Sequence, residues 1–260
     1  MIHNPNEHLS ATESHYDKEA LYYDAFNELF SEKTNKIIEK ILHQYDVKTV
    51  LDLCCGTGSQ VFWLAERGYE VFGVDINTNM LEIAQSKAQE NKLSVTLGQG
   101  DMRSSKMGEF DAVLTIFNAI GHLTKVDFEK AIQNIHSNLK TSGLYIFDIF
   151  NLNNLLHEDN ITKLTIDWQK QSGDLILREI QYSTINQEGI LASYDIYHEQ
   201  KGSFPPKITS SFQTLQVYTA QQLREILTRN GFAIIQESGI DGANFEEQQT
   251  ERILTVAVKL

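Results

Sequence analysis

Two hydrophobic rhythms run along this chain. Leu21, Ala25, Leu29 and Phe30, followed by Ile37, Ile38, Ile41 and Leu42, recur at helical spacing. They predict helix over residues 17–43, with Ser31 and Thr34 as caps where one helix yields to the next. From residue 48 short apolar, β-branched runs take over: KTVLDL, YEVFGVD, SVTLG, FDAVLTIF and LYIFDIF read as strands. Between them lie helical stripes: Val61, Phe62, Leu64 and Ala65; Met80, Leu81, Ala84 and Ala88; Phe128, Ile132, Ile135 and Leu139. Gly68 suits a left-handed helix end, Asn77 or Thr78 suits the next cap, and Thr124 the one after. Strands alternating with helices imply right-handed crossovers and a parallel sheet.

Residues 161–217 break that alternation. LTIDW, LILREIQYSTI, ILASYDIYHE and ITSSFQTLQVY are strand-like, and QSGD, NQEG and KGSFPPK between them are turn chemistry. Thr219 then opens the helix TAQQLREILTRNG, and FAIIQES and RILTVAVKL complete the pattern. The expected fold is α/β: a doubly wound, Rossmann-like, mostly parallel seven-stranded sheet with an antiparallel β insertion. The expected units are an N-terminal helical lid over 1–45, a core over 46–155 and 218–260, and an insertion over 156–217. That insertion would cover the substrate or build a homodimer interface.

The formal net charge of -13 weighs against nucleic-acid and anionic-membrane partners. No apolar run approaches the ~18 residues of a membrane span, and the first residues lack the pattern of a signal peptide. The two cysteines, Cys54 and Cys55, are adjacent and make poor structural staples. A cytoplasmic location is the expectation.

The sharpest chemical signal is VLDLCCGTGS, residues 50–59, where a strand enters a glycine turn and a helix leaves it. Glycine lets backbone approach a ligand closely. Asp52 and the Gly56–Thr57–Gly58 turn would therefore surround a ligand at the carboxyl edge of the sheet. A nicotinamide fingerprint needs a glycine where Val61 stands, and a Walker loop needs Gly-Lys-Ser/Thr, absent here. Asp75 ends the second strand, where a carboxylate can accept both ribose hydroxyls. Asp101, in GQGDMR after the third, can accept from an adenine amino group, with the Met102 N–H set for a ring nitrogen.

Together VLDLCCGTGS, VDINTNML and GDMR resemble the first three motifs of class I S-adenosylmethionine-dependent methyltransferases, over about residues 20–150. The resemblance implies a donor site in which Asp52, Gly56 and Gly58 line the methionine and ribose part and Asp75 holds the ribose. Ile76 and Met80 would lie near the adenine, whose edge Asp101 and Met102 would read. Cys54, Thr57, Gly100, Phe117 and Asn118 join the implied set. The product would be S-adenosylhomocysteine. FNAIGHL, FDIFN and VYTAQQLREILTRNGF look like the small-molecule branch, which includes glycine N-methyltransferases and sugar N,N-dimethyltransferases.

The sulfonium donor carries the hard chemistry, so the protein must align the acceptor, exclude water and manage a proton; no metal is called for. His122 is the candidate base. The Tyr23–Asp24 pair resembles the segment that closes over the cofactor, a task Tyr16 or Tyr22 could take instead, with Tyr16 on the substrate side. Arg178 could pair with an anionic group on the acceptor. A small-molecule amine is the first expectation for the acceptor. The alternatives are a small-molecule O-methyltransferase and a non-catalytic scaffold that only binds the donor.

Overall fold

The computed structural model describes residues 4–17, 20, 23–157 and 166–260. Tyr22 and the start of LTIDW lie outside the described residues.

After an arm over residues 4–17 that is neither helix nor strand, the chain forms α1 (Tyr23–Gln44), β1 (Thr49–Asp52), α2 (Ser59–Ala65), β2 (Glu70–Asp75), α3 (Thr78–Glu90) and β3 (Thr96–Gln99). It continues through β4 (Phe110–Thr115), a 3-10 turn at Ala119–His122, α4 (Lys125–Ser137), β5 (Leu139–Phe150) and α5 (Leu152–His157). Then follow β6 (Ile166–Ser172), β7 (Leu175–Ile185), β8 (Ile190–Lys201), β9 (Lys207–Gln216), α6 (Ala220–Arg229), β10 (Phe232–Gly239) and β11 (Arg252–Lys259).

The seven-stranded sheet has the order β10-β11-β5-β4-β1-β2-β3. β1 to β5 pair in parallel, and β11 runs antiparallel to both neighbours. Alternate strand residues feed two cores, as the pleat requires. Val50, Ala112, Leu114 and Ile146 meet Ile38 and Leu42 of α1 and Val61 and Leu64 of α2 on one face. Leu51, Val113, Tyr145 and Phe147 meet Phe128 and Ile132 of α4 and Leu223 and Leu227 of α6 on the other. The order reverses beside β1, so the crevice above the ends of β1 and β4 is where an open sheet accepts a ligand.

The caps follow local chemistry. Asn77 accepts from the Met80 N–H, Thr124 from Asp127, and Thr219 forms a reciprocal capping box with Gln222. Ser31 and Thr34 do not act as caps: both are buried within one continuous α1. Packing of that face against the sheet overrides their preference for helix ends. The insertion is a four-stranded antiparallel sheet, β6-β7-β8-β9. Its inner end is fixed to the core through Leu152, Leu155, Leu191, Leu215 and Val217.

Candidate active site

Three strand ends supply one wall of a crevice of about 750 Å³, counted with its open mouth. Cys54 and Gly56 follow β1; Asp75, Ile76 and Met80 follow β2; Gly100, Asp101 and Met102 follow β3. Phe117 and His122 follow β4, and Tyr16 and Tyr23 come from the N-terminal region. Gly56 has φ +52°, and a Cβ there would project into open space. Gly58 has φ +90°, and a Cβ would strike the Phe62 ring. The first glycine keeps the crevice open and the second packs the turn onto its helix.

Four expected donor residues stand behind this lining. Asp52 is buried, with Oδ1 near the Cys54 N–H (3.4 Å) and Oδ2 without a partner among the described residues. Burial, opposed by the Cys54 N–H and helped by the charge of Asp75, pushes its carboxyl up to about 7. Thr57 is buried and donates its hydroxyl to Asp24 at 2.6 Å. Gly58 is closed off by Phe62, and Asn118 turns its Oδ1 to the Phe150 N–H at 2.9 Å. Arg178 sits in the middle of β7 between Gln169 and His198, and is not among the residues lining the crevice. The meander itself was legible in the sequence, but which of its residues reach the crevice depends on how the sheet sits against the core.

The acids differ in what binds them. Asp75 accepts the Gly56 N–H at 2.8 Å and the Asn77 N–H at 2.9 Å, so it both shapes the glycine turn and faces the crevice. Burial raises its carboxyl despite those bonds. Asp101 is held by Arg103, whose Nε lies 2.9 Å from both carboxylate oxygens and whose backbone N–H adds a 2.8 Å bond. Burial opposes ionisation of Asp101, but these bonds prevail and lower its pKa. Arg103 also reaches Asp127 at 2.9 Å. Any purine amino group at Asp101 must therefore share its oxygens with this guanidinium.

The arm builds the opposite wall. The Ala11 N–H donates to the His122 carbonyl at 2.8 Å, and Ser10 donates to Asp127 at 2.6 Å. The Asn77 amide donates to the Glu13 carbonyl (2.7 Å) and to Asp17 (2.8 Å). The Tyr16 hydroxyl then lies 2.8 Å from His122 Nε2, while His122 Nδ1 is buried without a partner among the described residues. Burial, reinforced by His15 and His8, holds the His122 imidazole well below its usual range. Burial raises the Cys54 and Cys55 thiols, so neither is poised as a thiolate.

Sequence reasoning missed the support beneath the β4 loop. Phe117 and Asn118 both adopt left-handed backbone, φ 64° and 58°. Asp148, fully buried in β5, accepts both of their N–H groups, at 2.6 and 3.2 Å. Arg252 of β11 pairs with the same carboxylate and lies against the rings of Phe30, Phe117 and Phe150. The sequence placed Asp148 in the strand LYIFDIF and the family-like segment FDIFN, and Arg252 in the strand RILTVAVKL, with no role for either side chain.

The methyltransferase domain family matches residues 50–143 of the chain. A Bacillus subtilis protein assigned as a methyltransferase is 31% identical over 169 residues, covering 60% of this chain and 67% of its own. The chain belongs to the S-adenosylmethionine-dependent methyltransferases. A glycine/sarcosine N-methyltransferase of Parasynechococcus marenigrum is 34% identical to this methyltransferase over 121 residues, 45% of this chain and 43% of that protein. The fold matches that of an S-adenosylmethionine-bound amino pentose methyltransferase from Micromonospora echinaspora. That match has a TM-score of 0.75 and 19% identity, over 92% of this chain and 97% of the other.

The crevice suits the family's donor. Asp75 offers acceptors for ribose hydroxyls, and Ile76, Met80 and Met102 give apolar surface for a purine. The ground over Gly56 is open where an added side chain would stand. The orphaned Oδ2 of Asp52 is a buried acceptor one residue behind the lining residue Leu53. Among the described residues no helix is long and apolar enough to cross a membrane, and no cluster of three metal-ligand side chains occurs.

Proposed function

We propose that the enzyme transfers the methyl group of S-adenosylmethionine to an amine of a small molecule. The bound sulfonium supplies the electrophilic methyl carbon and the leaving sulfur. Asp75 holds the ribose, Ile76 and Met80 flank the adenine, and Met102 meets its edge. Tyr23 and the arm close the crevice and keep water out. The single observation that carries the reading is the meeting of the β1–β3 donor loops with the Tyr16–His122 couple in one crevice.

The acceptor meets His122 through Tyr16. A buried, neutral imidazole cannot take up a proton cheaply, so in place of the base expected from the sequence His122 orients the Tyr16 phenol, and the amine arrives uncharged. A carbon–nitrogen bond forms only when the nitrogen lone pair lies opposite the sulfur, and such alignment is worth up to ~7–11 kcal/mol. The four-stranded insertion and the arm shape the acceptor pocket, and the insertion's outer face could serve a dimer. The names of the glycine/sarcosine and amino pentose relatives support nitrogen as the acceptor atom.

The test is incubation of a metabolite extract with methyl-labelled S-adenosylmethionine, followed by mass identification of the labelled product. A label on nitrogen is expected. A label on oxygen, or none across the extract, overturns the reading.

A further inference from the structure

Asn77 lines the crevice, is only 1% exposed, and binds both of its walls. Its backbone N–H donates to Asp75 Oδ1 at 2.9 Å. Its side-chain Oδ1 accepts the Met80 N–H at 2.9 Å and caps α3. Its NH2 group crosses to the arm, donating to the Glu13 carbonyl at 2.7 Å and to Asp17 Oδ1 at 2.8 Å. A flipped amide would set an oxygen against two acceptors, so these partners fix its orientation.

The two arm contacts bracket Tyr16. Residues 13–17 form a run of turns, closed by the His15 N–H on the Thr12 carbonyl (3.0 Å) and the Asp17 N–H on the Ser14 carbonyl (3.3 Å). Glu13 opens that run and Asp17 ends it, so Asn77 holds it at both ends. The Asn79 amide adds a 3.0 Å bond to the same oxygen of Asp17. The turns carry His15 and Tyr16 onto the crevice, where the Tyr16 hydroxyl meets His122. Upstream, Ser10 and Ala11 have separate anchors, on Asp127 and on the His122 carbonyl.

We infer that Asn77 is a positioning residue that couples the two walls, so that a donor seated on Asp75 firms the turns over residues 12–17 and sets Tyr16 against His122. The carboxylate that receives the ribose also fixes the Asn77 backbone, and the Asn77 amide fixes the arm. Such coupling is reciprocal: an arm held in place favours the donor in turn. The inference rests on the proposed seat of the ribose at Asp75 and is independent of the acceptor atom.

Aspartate caps a helix as well as asparagine does, so Asn77→Asp keeps the bond to Met80. It loses both bonds to the arm and sets a second carboxylate against Asp17. Adding Asp17→Asn returns an amide donor between the two positions and restores the net charge. Hydrogen exchange of the full chain, read amide by amide, tests the clasp. Exchange at His15 and Asp17 should quicken tenfold or more in Asn77→Asp, while Ala11, bonded to His122, stays within threefold. The double variant should return His15 and Asp17 to within threefold of the unaltered chain. Unchanged exchange in Asn77→Asp, an equal quickening of all three amides, or no recovery in the double variant would overturn the clasp. Asn77→Ser, which can cap α3 but is too short to reach the arm, should match Asn77→Asp, and full protection there would also overturn it. Saturating S-adenosylhomocysteine should slow His15 and Asp17 tenfold or more in the unaltered chain and less than twofold in Asn77→Asp. No slowing in the unaltered chain, or the same slowing in both, would overturn the coupling. Unweakened binding of S-adenosylhomocysteine to Asp75→Ala would instead remove the ribose seat, and the ligand-free proteins would still decide the clasp.

Discussion

Asp148 Oδ1 accepts the Phe117 N–H at 2.6 Å, and this bond links the middle of the core sheet to the floor of the active site. Phe117 and Asn118 occupy left-handed backbone that non-glycine residues rarely adopt, so the loop needs an outside constraint. The carboxylate supplies it, and Arg252 pairs with that carboxylate where it is fully buried. Removing one member of a buried pair strands the other. Asp148→Ala is therefore expected to cost about 3–5 kcal/mol of stability. Urea unfolding measures it, and Asp148→Ala with Arg252→Met should recover part of the loss. A cost below ~1 kcal/mol would contradict the proposed support.

His122 makes stability depend on pH. Burial, then the charges of His15 and His8, lowers its folded pKa well below the unfolded 6.5. The native state binds fewer protons than the unfolded chain. Its stability is thus full above about pH 6.5 and lost as pH falls through 6.5 toward the folded value. His122→Asn should flatten the fall in Tm between about pH 7.5 and about pH 5.5. An equal fall in both proteins would contradict burial as the cause.

Asp52 has the opposite sign. Its folded pKa of about 7 exceeds the unfolded value of 3.8, chiefly through burial. The associated stability is present below pH 3.8 and lost as pH rises through about 7. Asp52→Asn should therefore gain Tm over the unaltered chain progressively from about pH 4 to about pH 7, and hold that gain above. A Tm difference independent of pH would contradict the shift.

The fold was legible wherever neighbours in sequence decide structure. The strand–turn–helix at Asp52–Ser59 and the caps at Asn77, Thr124 and Thr219 follow from local rules, as does the antiparallel meander. Residues at the ends of β1, β2 and β3 were legible as a group because a parallel sheet brings those ends to one edge. What escaped depends on distance along the chain. Asp148 and Arg252 are 104 residues apart and meet only because β11 inserts beside β5. His8 and Thr214 meet only when the arm crosses the insertion. Nor could local pattern tell Gly56, which faces the crevice, from Thr57 and Gly58, which hold the turn from behind.

Everything rests on the carboxyl-end loops of the sheet sharing one adenosyl ligand. Isothermal titration of S-adenosylhomocysteine into the intact chain and into Asp75→Ala tests that most directly. Micromolar-range binding is expected in the first, weakened tenfold or more in the second, about 1.4 kcal/mol. Equal affinity in the two proteins, or tighter binding of a nicotinamide dinucleotide than of the adenosyl ligand, would contradict the account.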